Sequence, residues 1–361
     1  METVELNRAF WQGKRVLLTG HTGFKGSWLA LWLQRWGAQV TGFSLAPQTT
    51  PNLYDLAQVE LGLESHLGDL RDAERVRAVV AHAKPEIVLH LAAQALVHDG
   101  YRDPVGTYGS NLMGTLHVLE AVRQVGGVKA CVVVTTDKVY ANNEWAWPYR
   151  ENEPLGGHDP YSSSKACCEL LVQSFAASYF APNRYSQHGL AMATARAGNV
   201  LGGGDFSANR LVPDILRAWS QGEPVTLRYP QAVRPWQHVL EPLAGYLQLA
   251  QGLFEQGVNF TGAWNFGPSL DDTCSVGEVV QRLAAKWPHA PGLQVESCDL
   301  HEAGLLRLDS SRARQMLGWQ PRWSLQQCLE QTLDWHLAWL RKEDMRDVTL
   351  QQLEAYWSGN E

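Results

Sequence analysis

Short apolar runs that end in polar residues recur along the chain, and each is followed by a longer stretch with apolar positions three or four apart. The first run covers residues 15–19, with a helical stretch over 27–36 that Gly37 can close as a C-cap. A second strand covers 39–44. A third covers 66–69 and ends in the carboxylate of Asp69, followed by a helix over 73–82. A fourth covers 87–91, then small residues and a helix containing Asn111 that runs to about 125. The fifth is the run Val132, Val133, Val134, which leads directly into Thr135, Thr136, Asp137 and Lys138. A loop over 144–159, a helix over 160–179 and a strand over 191–196 come next.

Continuous apolar runs, rather than alternating ones, imply strands buried on both faces. Strands alternating with helices predict an α/β fold built on a doubly wound parallel sheet of Rossmann type. Past residue 200 the rhythm changes. Helices are predicted from 209 onward and over 242–256, 276–286, 310–317 and 324–341, with a strand near 264–266 that rejoins the sheet. Residues 1–200 thus read as a cofactor domain carrying the catalytic residues. Residues 201–361 read as a smaller, mostly helical substrate domain from which some segments return to the first.

Composition narrows the class. The net charge of −7, without a long basic run, argues against a nucleic-acid or membrane-surface partner. No apolar run of about 18 residues suggests a membrane span, and the first eleven residues do not resemble a signal peptide. The six cysteines, Cys131, Cys167, Cys168, Cys274, Cys298 and Cys328, form no C-x-x-C pair and no zinc spacing. They read as small buried hydrophobes in a reducing, cytoplasmic setting, with no metal centre expected. Of fifteen tryptophans, Trp28, Trp32 and Trp36 recur at helical spacing and read as packing.

Candidate chemistry gathers at strand ends. Gly20, Gly23 and Gly26 lie between the first strand and its helix, where glycines permit a tight turn and close backbone approach to a pyrophosphate. The bland alternative is a merely tight turn. Tyr161 and Lys165 are four apart and share a helical face. A tyrosine base must lose a proton normally held to about pH 10, and a nearby ammonium stabilises the phenolate. With Thr136 on the same hydroxyl, this set oxidises an alcohol by passing hydride to a nicotinamide. Asp137 and Lys138 exceed that need and supply an acid and a base side by side. Arg228 and Arg234 flank a proline-containing loop, and Asp205 reads as a turn residue.

The spacing G-x-x-G-x-x-G resembles the extended short-chain dehydrogenase/reductases. With GHTGFKGSW, HLAAQ, TTDKVY, YSSSK, GNVLGGGDF, RPWQHVLEPLAGY and LGWQP, the chain resembles their nucleotide-sugar 4,6-dehydratases over nearly its whole length. The resemblance implies NAD as cofactor, although the second strand ends at Ser44 without an acidic residue. It implies cofactor contacts at Gly20, Gly23, Phe24, Gly26, Asp69, Leu70, Leu91, Ala92, Ala93, Tyr161 and Lys165. Asp69 would lie near the adenine, or cap the helix over 73–82. In dTDP-glucose members a glutamate serves as C5 base. Lys138 stands in its place here, as in the CDP-glucose branch, which implies CDP-glucose as substrate. Thr136 and Tyr161 would then act at C4, Asp137 as C6 acid and Lys138 as C5 base. Asn199, Arg210 and Arg234 match phosphate-contacting positions. His238 stands beside them as a substrate-site candidate and reads more readily as structural than catalytic. The resemblance also implies a homodimer or homotetramer. A 4-epimerase on the same scaffold is the nearest rival, and a non-catalytic NAD-sensing regulator the rival of another class.

Overall fold

Seven parallel strands form one sheet in the computed structural model: β1 (Arg15–Thr19), β2 (Gln39–Ser44), β3 (Glu64–Leu67), β4 (Ile87–His90), β5 (Ala130–Val134), β6 (Ala191–Ala197) and β7 (Gly262–Phe266). Their order is β7-β6-β5-β4-β1-β2-β3. The structure describes residues 3–227, 229–269, 272–296 and 305–358; Arg228 and Cys298 lie outside them. Both faces of the sheet are covered, which accounts for the unbroken apolar runs. On β5, Ala130, Val132 and Val134 join the core that contains Trp28 and Leu31. Cys131 and Val133 join the opposite core with Val80, Val118 and Phe175.

Several elements differ from the expected bounds for local reasons. The first long helix is Phe24–Arg35, three residues earlier than the periodicity suggests, because Gly23 is extended and serves as N-cap. The helix expected around Asn111 is broken into Pro104–Tyr108, a wide π turn over Gly109–Met113, and Gly114–Val125. Within the wide turn the buried Asn111 amide accepts from the Gln94 N–H (2.8 Å) and donates to the Gln94 carbonyl (3.0 Å) and Ser164 Oγ (2.8 Å). The helix after β3 is Ala73–Ala83, and its N-cap is Asp72, which accepts from the Arg75 N–H. Asp69 is therefore not the cap.

Beyond β6, the helices Leu211–Ser220 and Val276–Ala284 and one face of Leu325–Leu340 enclose a third core around Ile215, Val279 and Leu329. The helix Leu325–Leu340 also sends Trp335 and Ala338 into the first core, so it ties the two parts together. Leu240–Gln256 is buried along most of its length and packs on the sheet. A last helix, Met345–Ser358, lies against the first: Tyr356 meets Trp32 edge-on, and Trp357 meets Trp36. Trp28, Trp32 and Trp36 are all core residues. The five described cysteines are unpaired, and no described helix is long and apolar enough to cross a membrane.

Candidate active site

A cleft of about 1370 Å³ opens beyond the carboxyl ends of the strands. The strand order reverses between β1 and β4, and a crevice is expected at that point. The turn after β1 forms one wall. Gly20 has φ +81°, and a Cβ there would lie 2.8 Å from the Ala92 amide nitrogen. A Cβ on Gly26 would lie 1.9 Å from the Gly20 carbonyl oxygen, so the helix can sit this close only without a side chain. Gly23 offers no capping side chain, and Gly23, Phe24 and Gly26 line the cleft. Uncapped N–H groups at a helix start are a ready anion site, and they fit the pyrophosphate of a dinucleotide.

Asp69, Leu70, Leu91, Ala92 and Ala93 line the same cleft. The Asp69 carboxylate is held below its usual range chiefly by Arg71, whose Nη2 lies 2.5 Å away. Ser44 ends β2 with its hydroxyl 2.8 Å from that of Thr22.

The end of β5 delivers the polar cluster. Thr136 Oγ1 donates to Asp137 Oδ1 (3.0 Å), and Lys138 Nζ approaches the same oxygen at 3.2 Å. Lys138 Nζ also donates to Asn199 Oδ1 (3.3 Å). Asp137 is fully buried, and its second oxygen, Oδ2, has no hydrogen bond. Asp137 does not line the cleft, whereas Thr136, Lys138, Tyr161, Lys165, Asn199, Arg210 and Arg234 do. Tyr161 and Lys165 occupy successive turns of the helix Pro160–Ser178, which Asp159 caps and Pro160 begins.

The electrostatics depart from expectation at the tyrosine. Burial pushes the Tyr161 phenol up to about 12, with the Thr136 hydroxyl pulling the other way. Lys165 Nζ donates to the Val134 carbonyl (2.9 Å), and burial lowers its pKa. The lysine thus holds the strand end, and desolvation outweighs the stabilisation of a phenolate.

Arg210 Nη1 pairs with Asp205 Oδ2 at 3.1 Å, so Asp205 does more than form a turn. Arg234 is mostly buried and donates to the Val233 carbonyl (3.1 Å). His238 must be corrected as a substrate-site candidate. It is fully buried, packed edge-on against Trp28 and Trp323, and absent from the cleft wall. Burial takes its pKa down to about 3, which suits a neutral packing residue. Glu64, His66 and His82 form a metal-compatible group outside the cleft, where both imidazoles already hydrogen-bond to the carboxylate.

Sequence reasoning missed the support behind the site. Glu169, fully buried, accepts from Thr135 Oγ1 (2.5 Å), Thr194 Oγ1 (2.6 Å), and Arg196 Nε (2.9 Å) and Nη2 (2.8 Å). Arg196 also donates to Tyr140 Oη (2.8 Å) and to the Glu151 carbonyl (3.0 Å). A signal was present: Glu169 follows Tyr161 and Lys165 at four-residue steps, and Arg196 interrupts an otherwise small-residue strand.

Comparison with known proteins adds sequence and fold likeness. A family profile described as GDP-mannose 4,6 dehydratase matches residues 17–332. The chain is 49% identical over 355 residues to CDP-glucose 4,6-dehydratase of Salmonella typhimurium, covering 98% of this chain and 99% of that one. It is 28% identical over 347 residues to dTDP-glucose 4,6-dehydratase of Xanthomonas campestris pv. campestris, covering 89% and 93%. Among solved structures, UDP-glucose-4-epimerase from Stenotrophomonas maltophila with NAD and formylated UDP-arabinopyranose superposes with a TM-score of 0.78 at 22% identity, covering 91% of this chain and 99% of that one. A DesIV double mutant, the dTDP-glucose 4,6-dehydratase of Streptomyces venezuelae with NAD and DAU bound, gives 0.76 at 22%, covering 89% and 96%.

Proposed function

The chain belongs to the family described as GDP-mannose 4,6 dehydratase, and from that membership we propose that it is an NAD-dependent CDP-D-glucose 4,6-dehydratase. It converts CDP-D-glucose to CDP-4-keto-6-deoxy-D-glucose and water. Support for the nucleotide comes from the 49% identical relative. Dehydration rather than epimerisation is carried by one observation: the Asp137–Lys138 pair, 3.2 Å apart, beside Thr136 at the end of β5. An epimerase has no use for an acid and a base at C5 and C6.

In this reading Thr136 holds the C4 hydroxyl and Tyr161 takes its proton. NAD, which the glycine turn with Tyr161 and Lys165 would hold, would supply the hydride acceptor for C4 and the hydride donor for C6. Lys138 removes the C5 proton, acidified by the C4 ketone, while Asp137 protonates the departing C6 hydroxyl, and Lys138 gives its proton back to C5 once hydride has reached C6. Asn199, Arg210 and Arg234 hold the substrate pyrophosphate, Arg234 through charge-assisted hydrogen bonds. Residues 1–200 act as the cofactor domain and 201–361 mainly as the substrate domain. Incubation with CDP-, dTDP-, UDP- and GDP-glucose should show loss of water by mass spectrometry only with the CDP sugar, and complete conversion with trace NAD. A need for one NAD per sugar, or an isomer of unchanged mass, would overturn the reading.

We further propose a homodimer or homotetramer joined through the helices over 97–125 and 160–178. Large apolar residues lie open there, Val105 at 81% exposure and Leu170 at 56%. Sedimentation should report at least two chains, and Leu170→Glu should shift the population toward one. A wild-type mass of a single chain would end this proposal. The unpaired cysteines suit the cytoplasm as the place of action, which cell fractionation checks.

A further inference from the structure

Glu64, His66 and His82 lie outside the cleft and take no part in the chemistry above. β3 is an edge strand of the sheet. Residues two apart on a strand share a face, so Glu64 and His66 point the same way. Ser65 between them turns to the other face, where its hydroxyl meets His21 Nε2 (2.8 Å) and Tyr54 Oη (3.1 Å). The helix Ala73–Ala83 brings His82, in its last turn, to the Glu64 carboxylate. Strand and helix thus present three metal-ligating side chains to one point.

The donor atoms are already gathered. Glu64 Oε1 lies 3.0 Å from His66 Nε2 and 2.7 Å from His82 Nε2. One donor atom from each residue falls within 4.8 Å of the other two. A tetrahedral ion with bonds of about 2.0–2.1 Å holds its donors roughly 3.3 Å apart. A modest shift of side chains as exposed as His82 (59%) and Glu64 (51%) reaches that spacing. Glu64 and His82 also line a depression of about 420 Å³, which has room for a water as fourth ligand. His82 stands at the negative end of its helix dipole, where a cation is favoured. Arg15, which lines the same depression, is committed to Glu86 (3.5 Å) and to the Lys84 carbonyl (2.8 Å).

We propose that Glu64, His66 and His82 bind one divalent transition-metal ion, zinc, which clips the edge strand β3 to the helix that follows it. Two imidazoles, a carboxylate and a water make a tetrahedral zinc set. Magnesium and calcium prefer oxygen ligands throughout, and the softer cuprous ion prefers sulfur. On binding, each Nε2 changes from hydrogen-bond donor to metal ligand, and its proton moves to Nδ1 or to solvent. The clip holds the strand whose outer edge no other strand covers. An edge held in place is a poorer template for pairing with a neighbouring chain.

The test is a calorimetric titration of zinc chloride into the full chain after dialysis against a chelator. Wild type should take up one zinc per chain. His82→Ala should bind it more weakly by over ~100-fold, since losing a ligand costs more than losing an outer-shell partner. His188→Ala, on the separate helix Tyr185–His188, should match wild type. With zinc at about 100 times its Kd, the wild-type Tm should rise by about 3 °C, and that of His82→Ala should not move. No uptake, or equally tight uptake by His82→Ala, would overturn the inference. Uptake without a rise in Tm would overturn it too, because an ion that clips two folded elements must stabilise them. Wild type decides even if the variant does not fold. Cobalt in place of zinc should give visible bands without a thiolate charge-transfer band. A thiolate band would put the ion on a cysteine instead and end the proposal.

Discussion

Asp137→Asn combined with Lys138→Met is expected to cut dehydration by about 10²–10⁴-fold while oxidation at C4 continues. Thr136, Tyr161 and Lys165 are untouched, and Asn keeps an oxygen for the Thr136 hydroxyl, whose bond to Asp137 Oδ1 is 3.0 Å. Met removes the ion pair without leaving an unpaired buried ammonium. With no acid for the C6 hydroxyl and no base for C5, the sugar should stop at the 4-ketone, and reduced cofactor should build up on the enzyme. Stopped-flow absorbance follows that signal, and mass spectrometry follows water loss. Tyr161→Phe should give neither signal, because the C4 proton has no acceptor. Elimination at the wild-type rate in the double variant would refute the acid–base assignment. Absence of reduced cofactor despite substrate binding would move these residues to the oxidation step.

Glu169→Gln should lower the unfolding free energy by about 3–5 kcal/mol, one of the largest single-residue losses available in this fold. Glu169 and Arg196 are both essentially excluded from solvent and meet at 2.8 Å. Neutralising one partner leaves the guanidinium with its desolvation uncompensated. The same carboxylate receives the Thr135 hydroxyl, one residue before Thr136, so the strand end should loosen as well. Urea unfolding followed by circular dichroism measures the loss, and a midpoint unchanged from wild type would contradict it. Removing both charges together, as Glu169→Gln with Arg196→Met, should recover part of the loss.

The parts of this protein that could be read early are those written in neighbouring residues. The triple valine before Thr135, the three glycines of the first turn and the four-residue step from Tyr161 to Lys165 each carry their geometry locally. What could not be read depends on residues brought together from afar. The wide turn at Asn111 exists because one buried amide serves both Gln94 and Ser164. The pairing of Glu169 with Arg196 joins a helix to a strand. The helix Met345–Ser358 has a polar sequence, and Trp32, Trp36, Trp323 and Arg322, far apart in the chain, give Tyr356 and Trp357 somewhere to go. For His238, position in a motif pointed toward the substrate and burial pointed away. For Tyr161, the charge of Lys165 was legible but the strand carbonyl that engages it was not.

The position of β7 at one end of the sheet also sets an order of events on the ribosome. β6 is buried along its whole length, and its outer edge is closed only by β7. Sixty-four residues separate Ala197 from Gly262, so at ~5–20 residues per second β6 waits about 3–13 s for its partner. During that interval a nascent chain carries an open row of backbone donors and acceptors on an apolar strand, the kind of template that invites pairing with a neighbouring chain. Met345–Ser358 arrives later still to cover the tryptophans of the first helix. The seven-stranded sheet therefore depends on the last third of the chain to finish itself, and early arrest of translation should release a sticky product rather than a small working domain.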